Sequence, residues 1–173
     1  MGKIGKAPEA VLFAGLIYNK KIKNDIGRIL RPLGILDKFS PELSFDAFSN
    51  YYEREMGKDL LRQWVSFDRI IRPDEIVEIK LKSNKIEEKI STADRRIINI
   101  DPGYITLSNL VLATTKNYSH RIYAGRGIFE EVTLIYRKAE GFAPLEWTYP
   151  DYRTDEARKF FEEVREKLKH TRE

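Results

Sequence analysis

The feature that most constrains this chain is the run VLFAGLIY, Val11 to Tyr18, eight residues with no charge and no polar side chain before the Tyr18 hydroxyl. Side chains of a strand alternate between its two faces, so a run that is apolar at every position calls for a central strand covered on both sides. The turn-forming polar residues after it bound the strand at that end. Ile22, Ile26, Ile29, Leu30 and Leu33 follow at the spacing of one helical stripe, and Pro32 and Gly34 end that helix. A strand followed by a helix packing back on it is half of a βαβ-type unit.

Further along, Leu43 to Phe48 reads as a second strand. Leu61, Gln63, Val65 and Phe67 alternate with Arg62, Trp64, Ser66 and Asp68 as a third. SNYYEREMG between them reads as a loop or a short helical turn. Pro73 precedes DEIVEIKLKSNKIEEKI, where acids in the first turn and Ile79, Ile86 and Ile90 predict a second helix, interrupted at Ser83 and Asn84. RIINI, Arg96 to Ile100, is a fourth strand that Asp101-Pro102-Gly103 is expected to end as a turn. The order βαββαβ is the split-βαβ, or ferredoxin-like, pattern. LVLATT, HRIYA and GIFEEVTLIYRK extend it with antiparallel strands, and Thr154 caps a C-terminal helix whose inner face is Ala157, Phe160, Phe161, Val164 and Leu168. With no repeat or linker, residues 1–173 are expected to form a single α+β domain.

Composition narrows the chemistry. The chain has no cysteine, which removes disulfides, thiol catalysis and thiolate metal sites. It contains no run of about 18 apolar residues, so no membrane helix is expected, and MGKIGKAPEA carries charge without the apolar core of a secretory signal. A cytoplasmic location is the expectation. The net charge of +4 is small for 31 basic and 27 acidic residues, and nucleic-acid binders concentrate basic charge on one face. The asymmetry here is local: residues 1–31 hold seven Lys/Arg against Glu9 and Asp25, while residues 37–59 hold six acids against Lys38, Arg54 and Lys58. Abundant Lys and Glu without Cys also resembles a thermophile's composition.

No phosphate-loop motif, dinucleotide fingerprint or paired-histidine spacing is present. Gly125 and Gly127 read as a hairpin turn that needs positive φ. If the turn centres on Gly125-Arg126, Arg121 faces Glu130 and His120 faces Glu131, on opposite faces of the hairpin. One reading is a pair of cross-strand ion pairs worth ~0.2–1 kcal/mol each. The other makes His120 a general acid or base oriented by Glu131, with Lys116 and Arg121 or Arg126 binding an anionic substrate. Asp101 reads either as the first residue of a turn or as a ligand for a divalent metal such as magnesium, joined by Glu130, Glu131 or Asp68. In WTYPDYR, the rings of Trp147 and Tyr149 beside Arg153 either stack a base or pack as a lid over the core. Tyr51 and Tyr52 invite the same two readings, and His170 is expected in a solvated terminal turn.

The ordered blocks FAGLIY, NYYEREMG, VSFDRI, EIKLKSN, NIDPGY, LVLATTKNYSHRIY, GIFEEVTLIYRK and WTYPDYR, from about residue 11 to residue 165, resemble an uncharacterised prokaryotic domain-of-unknown-function family. Some members carry the label GTP-binding protein. Here the phosphate loop is missing, and the nearest approach to the guanine motif N-K-x-D is Asn84-Lys85-Ile86-Glu87, which ends in the wrong acid. The expectation is a protein that binds a phosphate-bearing ligand, a nucleotide or RNA, around Lys116, His120, Arg121 and Arg126. Metal-assisted phosphoryl or phosphoester chemistry would then use Asp101 and Glu131. The competing expectation is a non-catalytic interaction or assembly module.

Overall fold

A computed structural model describes residues 2–91 and 95–170. Strand β1, Ala10–Asn19, sits between β4, Leu60–Ile71, and β5, Ile98–Ile105, antiparallel to both. Its alternation explains the apolar run. Leu12, Ala14, Leu16 and Tyr18 point into one core, while Val11 and Phe13 point into a second on the opposite face. Each such Leu, Ile, Val or Phe stabilises the fold by roughly 1.5–3 kcal/mol when fully buried. A polar residue at either parity would forfeit that on one side of the sheet.

Around β1 the chain builds one sheet in the order β2-β4-β1-β5-β6-β8-β7. The remaining strands of that path are β2, Leu36–Phe39; β6, Asn109–Thr114; β7, Ile122–Gly125; and β8, Ile128–Arg137. Two short strands lie off it: β3, Leu43–Ser44, on β4, and β9, Gly141–Pro144, on β8. Every pairing is antiparallel. Helices cover both faces. On one side Ile26 and Leu30 of α1, Ile26–Leu30, and Ile76 and Ile79 of α3, Ile76–Ile90, join the first core. On the other, Ala157, Phe160, Phe161, Val164 and Leu168 of α4, Asp155–His170, join the second, and Thr154 Oγ1 caps that helix by accepting from Ala157 N at 3.2 Å. The remaining helix, α2, Glu53–Met56, is the short turn within NYYEREMG. No helix among the described residues is long and apolar enough to cross a membrane. The α4 backbone ends at His170, whose side-chain environment lies outside the described residues.

The sequence expectations are corrected in four places. Leu43 to Phe48 is not one strand: β2 lies earlier, β3 has two residues, and Phe45–Ala47 forms a 3-10 turn. The segment after β1 is α-helical only over α1, because Pro32 has no N–H to continue the ladder, and 3-10 turns flank it. Ser83 and Asn84 do not interrupt α3; Ser83 is buried and its hydroxyl donates to Lys80 O at 2.9 Å.

The largest correction concerns Asp101-Pro102-Gly103, which is the middle of β5 and not a turn. These residues pair with Gly15, Ala14 and Phe13. Ile100 directs its N–H away from β1, to Glu87, and Pro102, two residues on, directs its ring nitrogen to the same side. There the missing N–H costs no ladder bond, because β6 joins β5 only from Gly103 onward. Gly103 serves close approach: a Cβ there would collide with Val111 O and lie 2.7 Å from the Phe13 ring. Gly103→Ala should therefore destabilise the protein by about 1–3 kcal/mol in denaturant titration; an unchanged midpoint would mean that these neighbours yield freely.

Candidate functional site

Because β6 pairs with β5 only from Gly103 to Ile105, Ile100 has no strand partner on that side among the described residues. Two side chains of α3 replace the strand: Glu87 Oε1 accepts the Ile100 N–H at 2.6 Å, and Lys80 Nζ donates to Ile100 O at 3.1 Å. They are seven residues apart, two turns along one helical face. The parting leaves a cleft of about 660 Å³ lined by α3, by the sheet and by the segment before α4. Cross-strand neighbours share a face, so the rows Arg62–Ile17–Asn99 and Trp64–Gly15–Asp101 lie beneath it.

At the floor, Arg62 is 4% exposed, donates from Nε to Asp151 Oδ2 at 2.6 Å and holds Nη2 in ion-pair contact with the same oxygen at 2.5 Å. Phe45, Trp64 and Tyr152 ring its guanidinium at 5.3–5.6 Å. Burial pulls the Arg62 pKa down, but the charges of Asp151, Tyr152 and Asp101 outweigh it and the net shift is upward. Asp101 accepts from Lys80 at 3.3 Å and from Asn99 Nδ2 at 2.5 Å. Arg96 spans Glu87 and Asn99 through Nη1 at 3.0 and 2.8 Å, and reaches Glu55 through Nη2 at 2.9 Å.

The opposite wall is built on Glu131, which is 2% exposed. Its Oε2 meets His120 Nε2 at 2.9 Å and accepts from Arg121 Nε at 2.8 Å, while Oε1 accepts from Thr133 Oγ1 at 3.2 Å. Arg121 continues to Lys116 O at 3.0 Å and Tyr149 Oη at 2.9 Å. At the mouth Lys116 Nζ donates to Tyr51 Oη at 3.0 Å and lies 5.0 Å from that ring's centroid. Five cations line the cleft, Arg62, Lys80, Arg96, Lys116 and Arg121, against five carboxylates, Glu55, Glu87, Asp101, Glu131 and Asp151.

The expected pairing of the hairpin is corrected. The turn is Arg126-Gly127, with φ of 53° and 80°, and Gly125 opens an irregularity, so Ile122 pairs with Glu130 and Tyr123 with Phe129. His120 and Arg121 precede β7 and converge on Glu131 instead of dividing between two faces. Glu130 accepts from the Tyr104 hydroxyl at 2.8 Å, and Arg126 pairs with Glu78 outside the cleft lining.

The aromatic segment divides in the same way. Tyr149 lines the cleft, whereas Trp147 stacks on His120 with centroids 4.9 Å apart and donates to Val132 O at 2.8 Å. His120 and Trp147 border a separate shallow depression with Tyr118. Arg153 is tied to the carbonyls of Thr148, Leu145 and Glu146 at 2.8–3.0 Å, a structural clasp. Asp101, Glu131, Lys116, Arg121 and Tyr149 thus share the cleft, and His120, Trp147, Arg126 and Arg153 lie outside its lining.

The sequence reading missed Arg62, Lys80, Glu87, Arg96 and Asp151. A signal existed for two of them: Ile76, Ile79, Lys80, Ser83 and Glu87 form the buried stripe of α3, in which polar residues take apolar positions. The donors do not fit a divalent ion. Among the described residues no group of three or more His, Asp or Glu side chains is placed to hold a metal. Asp101 and Glu131 are already bonded to cations that an ion would have to displace.

These features define an α+β protein with a charged, tyrosine-lined cleft at a splayed sheet. The chain belongs to the family described as Domain of unknown function (DUF4416), whose profile matches residues 8–168. No curated protein and no solved structure matches it.

Burial raises the Glu87 carboxyl above its ordinary pKa, against the opposing influence of Lys80 and the bonds from Ile100 and Arg96. A raised carboxyl contributes stability that is full below its unfolded pKa and is lost as pH rises through the folded value. Glu87→Gln removes that component. The stability of the parent relative to the variant should therefore fall as pH rises from about 4, read by denaturant titration at several pH values. Parallel curves would show that Glu87 titrates as it does in the unfolded chain.

Proposed function

We propose that the cleft binds a phosphate-bearing small molecule of mononucleotide size. The observation that carries this reading is the interleaving of cations with tyrosine rings, above all Lys116 at the mouth. Its ammonium is held over and against Tyr51, and no carboxylate is bonded to it among the described residues. An ammonium so placed draws an anionic ligand into the cleft, and Tyr51 and Tyr149 offer faces for a ring. The volume falls within the range of about 300–1,000 Å³ usual for small-molecule sites. A cleft of this volume, lined by as many carboxylates as cations, favours a nucleotide over an RNA strand, which would call for a long basic groove.

Asp101 and Asn99 are suited to accept from sugar hydroxyls. Phosphoester chemistry is the reaction class that such an arrangement would serve, with Asp101 facing the ligand and the His120–Glu131 pair holding Arg121. This reading places the protein in the cytoplasm, where such ligands are found. We also read the first half of the chain as a split-βαβ, ferredoxin-like unit. The order β2-β4-β1-β5, with a helical segment after β1 and another after β4, supports it.

An assembly role has its own support. The last strand at one end of the sheet, β7, exposes Ile122 and Tyr123 at 75% and 61%, a template for pairing with another chain.

Titration calorimetry with nucleoside monophosphates against the parent nucleosides separates these readings. The phosphates should bind and the nucleosides should not. Lys116→Ala should weaken binding about tenfold, near 1.4 kcal/mol, while Arg126→Ala leaves it unchanged. No binding of any nucleotide or RNA oligomer, together with a concentration-dependent oligomer abolished by Ile122→Lys, would replace this reading with assembly.

A further inference from the structure

We infer that the inner end of the cleft is an oxyanion subsite built by Arg62 and Tyr152, and that it takes a single terminal phosphate monoester. This rests on the reading of the cleft as a phosphate-binding site and extends it to one class of ligand, a nucleoside monophosphate or sugar phosphate.

The argument begins with unused donors. Arg62 binds Asp151 through Nε and Nη2, whereas Nη1 is buried without a hydrogen-bond partner. The Tyr152 hydroxyl is likewise buried and unpartnered, on a side chain 1% exposed. Burial raises the Tyr152 pKa, against lowering by the Arg62 charge and by the indole N–H of Trp64, whose Nε1 approaches the hydroxyl without reaching ordinary bonding geometry. Buried polar groups are satisfied in the great majority of cases, and an orphan costs about 1–3 kcal/mol. Two side chains that both line one cleft and both hold an unused donor point to an acceptor supplied from that cleft.

The two donors lie side by side over Gly15. A Cβ built on Gly15 would collide with Tyr152 Oη and lie 3.0 Å from Arg62 Nη1. Any side chain at Gly15 would push them apart. Both groups are held rigidly: the Tyr152 ring stacks on Phe161 at 5.7 Å and meets Trp64 edge-on at 5.4 Å, and three rings surround the guanidinium. A guanidinium edge with an adjacent hydroxyl suits the oxygens of one tetrahedral anion.

The surroundings limit the ligand to one such group. Asp151 already balances the charge of Arg62, and Asp101, two residues from Asn99 along β5, acts electrostatically on both Arg62 and Tyr152. A second phosphate beside the first would face these carboxylates. A di- or triphosphate should therefore be rejected where a monophosphate is accepted.

Tyr152→Phe is the informative variant, because it removes only a hydroxyl that makes no hydrogen bond of ordinary geometry within the protein. Titration calorimetry with AMP, ADP and inorganic phosphate, alongside thermal unfolding, tests the inference. The parent should bind AMP at least tenfold tighter than ADP, with inorganic phosphate competing. Tyr152→Phe should weaken AMP and phosphate about tenfold and leave the melting temperature unchanged or raised. Arg62→Lys, which keeps the charge and loses the planar donor edge, should weaken both further.

If Tyr152→Phe leaves AMP affinity intact while Lys116→Ala lowers it, the subsite is overturned and the cleft reading stands; a trapped water would then occupy the two donors. A melting temperature that falls in Tyr152→Phe without loss of affinity overturns it too, by giving the hydroxyl a structural partner. If the parent binds neither AMP nor phosphate, both readings fail together.

Discussion

Strands β5 and β6 pair only from Gly103 to Ile105, which leaves the Ile100 backbone without a strand partner on that side among the described residues, and its capture by Lys80 and Glu87 satisfies both its N–H and its C=O. A buried N–H or C=O without a partner costs about as much as a lost hydrogen bond. The sheet can part there only because α3 supplies an acceptor and a donor at the right height. Lys80 and Glu87 are in turn held by Asp101 and Arg96. The cleft is thus bounded by groups that repair the backbone as well as by groups that face a ligand.

Removing charges from water costs several kcal/mol per ion, and a buried pair seldom stabilises a fold better than apolar residues of the same volume. Here five cations and five carboxylates meet around one cavity, and Arg62 and Asp151 are buried almost completely. Stability alone does not account for such a set. The pairs hold guanidinium and phenol groups in fixed directions, with Asp151 and three aromatic rings fixing Arg62 and Glu131 fixing Arg121 against Tyr149. A site preorganised in this way loses little conformational freedom when a ligand enters.

Much of the architecture was legible as pattern. The run from Val11 to Tyr18 required a central strand, and the stripe Ala157, Phe160, Phe161, Val164 and Leu168 required an inward helix face; both lie where those patterns put them. Asp101-Pro102-Gly103 misled because turn chemistry is a local preference. The residues answer instead to β1 on one side and to an absent strand on the other. The hairpin slipped by one residue because Gly127 as well as Gly125 adopts positive φ, and a one-residue slip reassigns every cross-strand partner. His120 and Arg121 were therefore legible as neighbours of a carboxylate, but not as neighbours of the same one.

By itself the sequence determined that a doubly covered strand must lie at the centre, that helices must flank it, and that any chemistry must come from oxygen and nitrogen groups, since periodicity and composition are properties of the chain alone. Only the tertiary structure decided that Arg62 from β4, Lys80 and Glu87 from α3, Asp101 from β5, Glu131 from β8 and Asp151 before α4 would meet around one cavity. Each of these residues stands in a local pattern that reads as ordinary strand, helix or turn. What joins them is where β6 leaves β5, and that depends on packing between segments far apart in the chain.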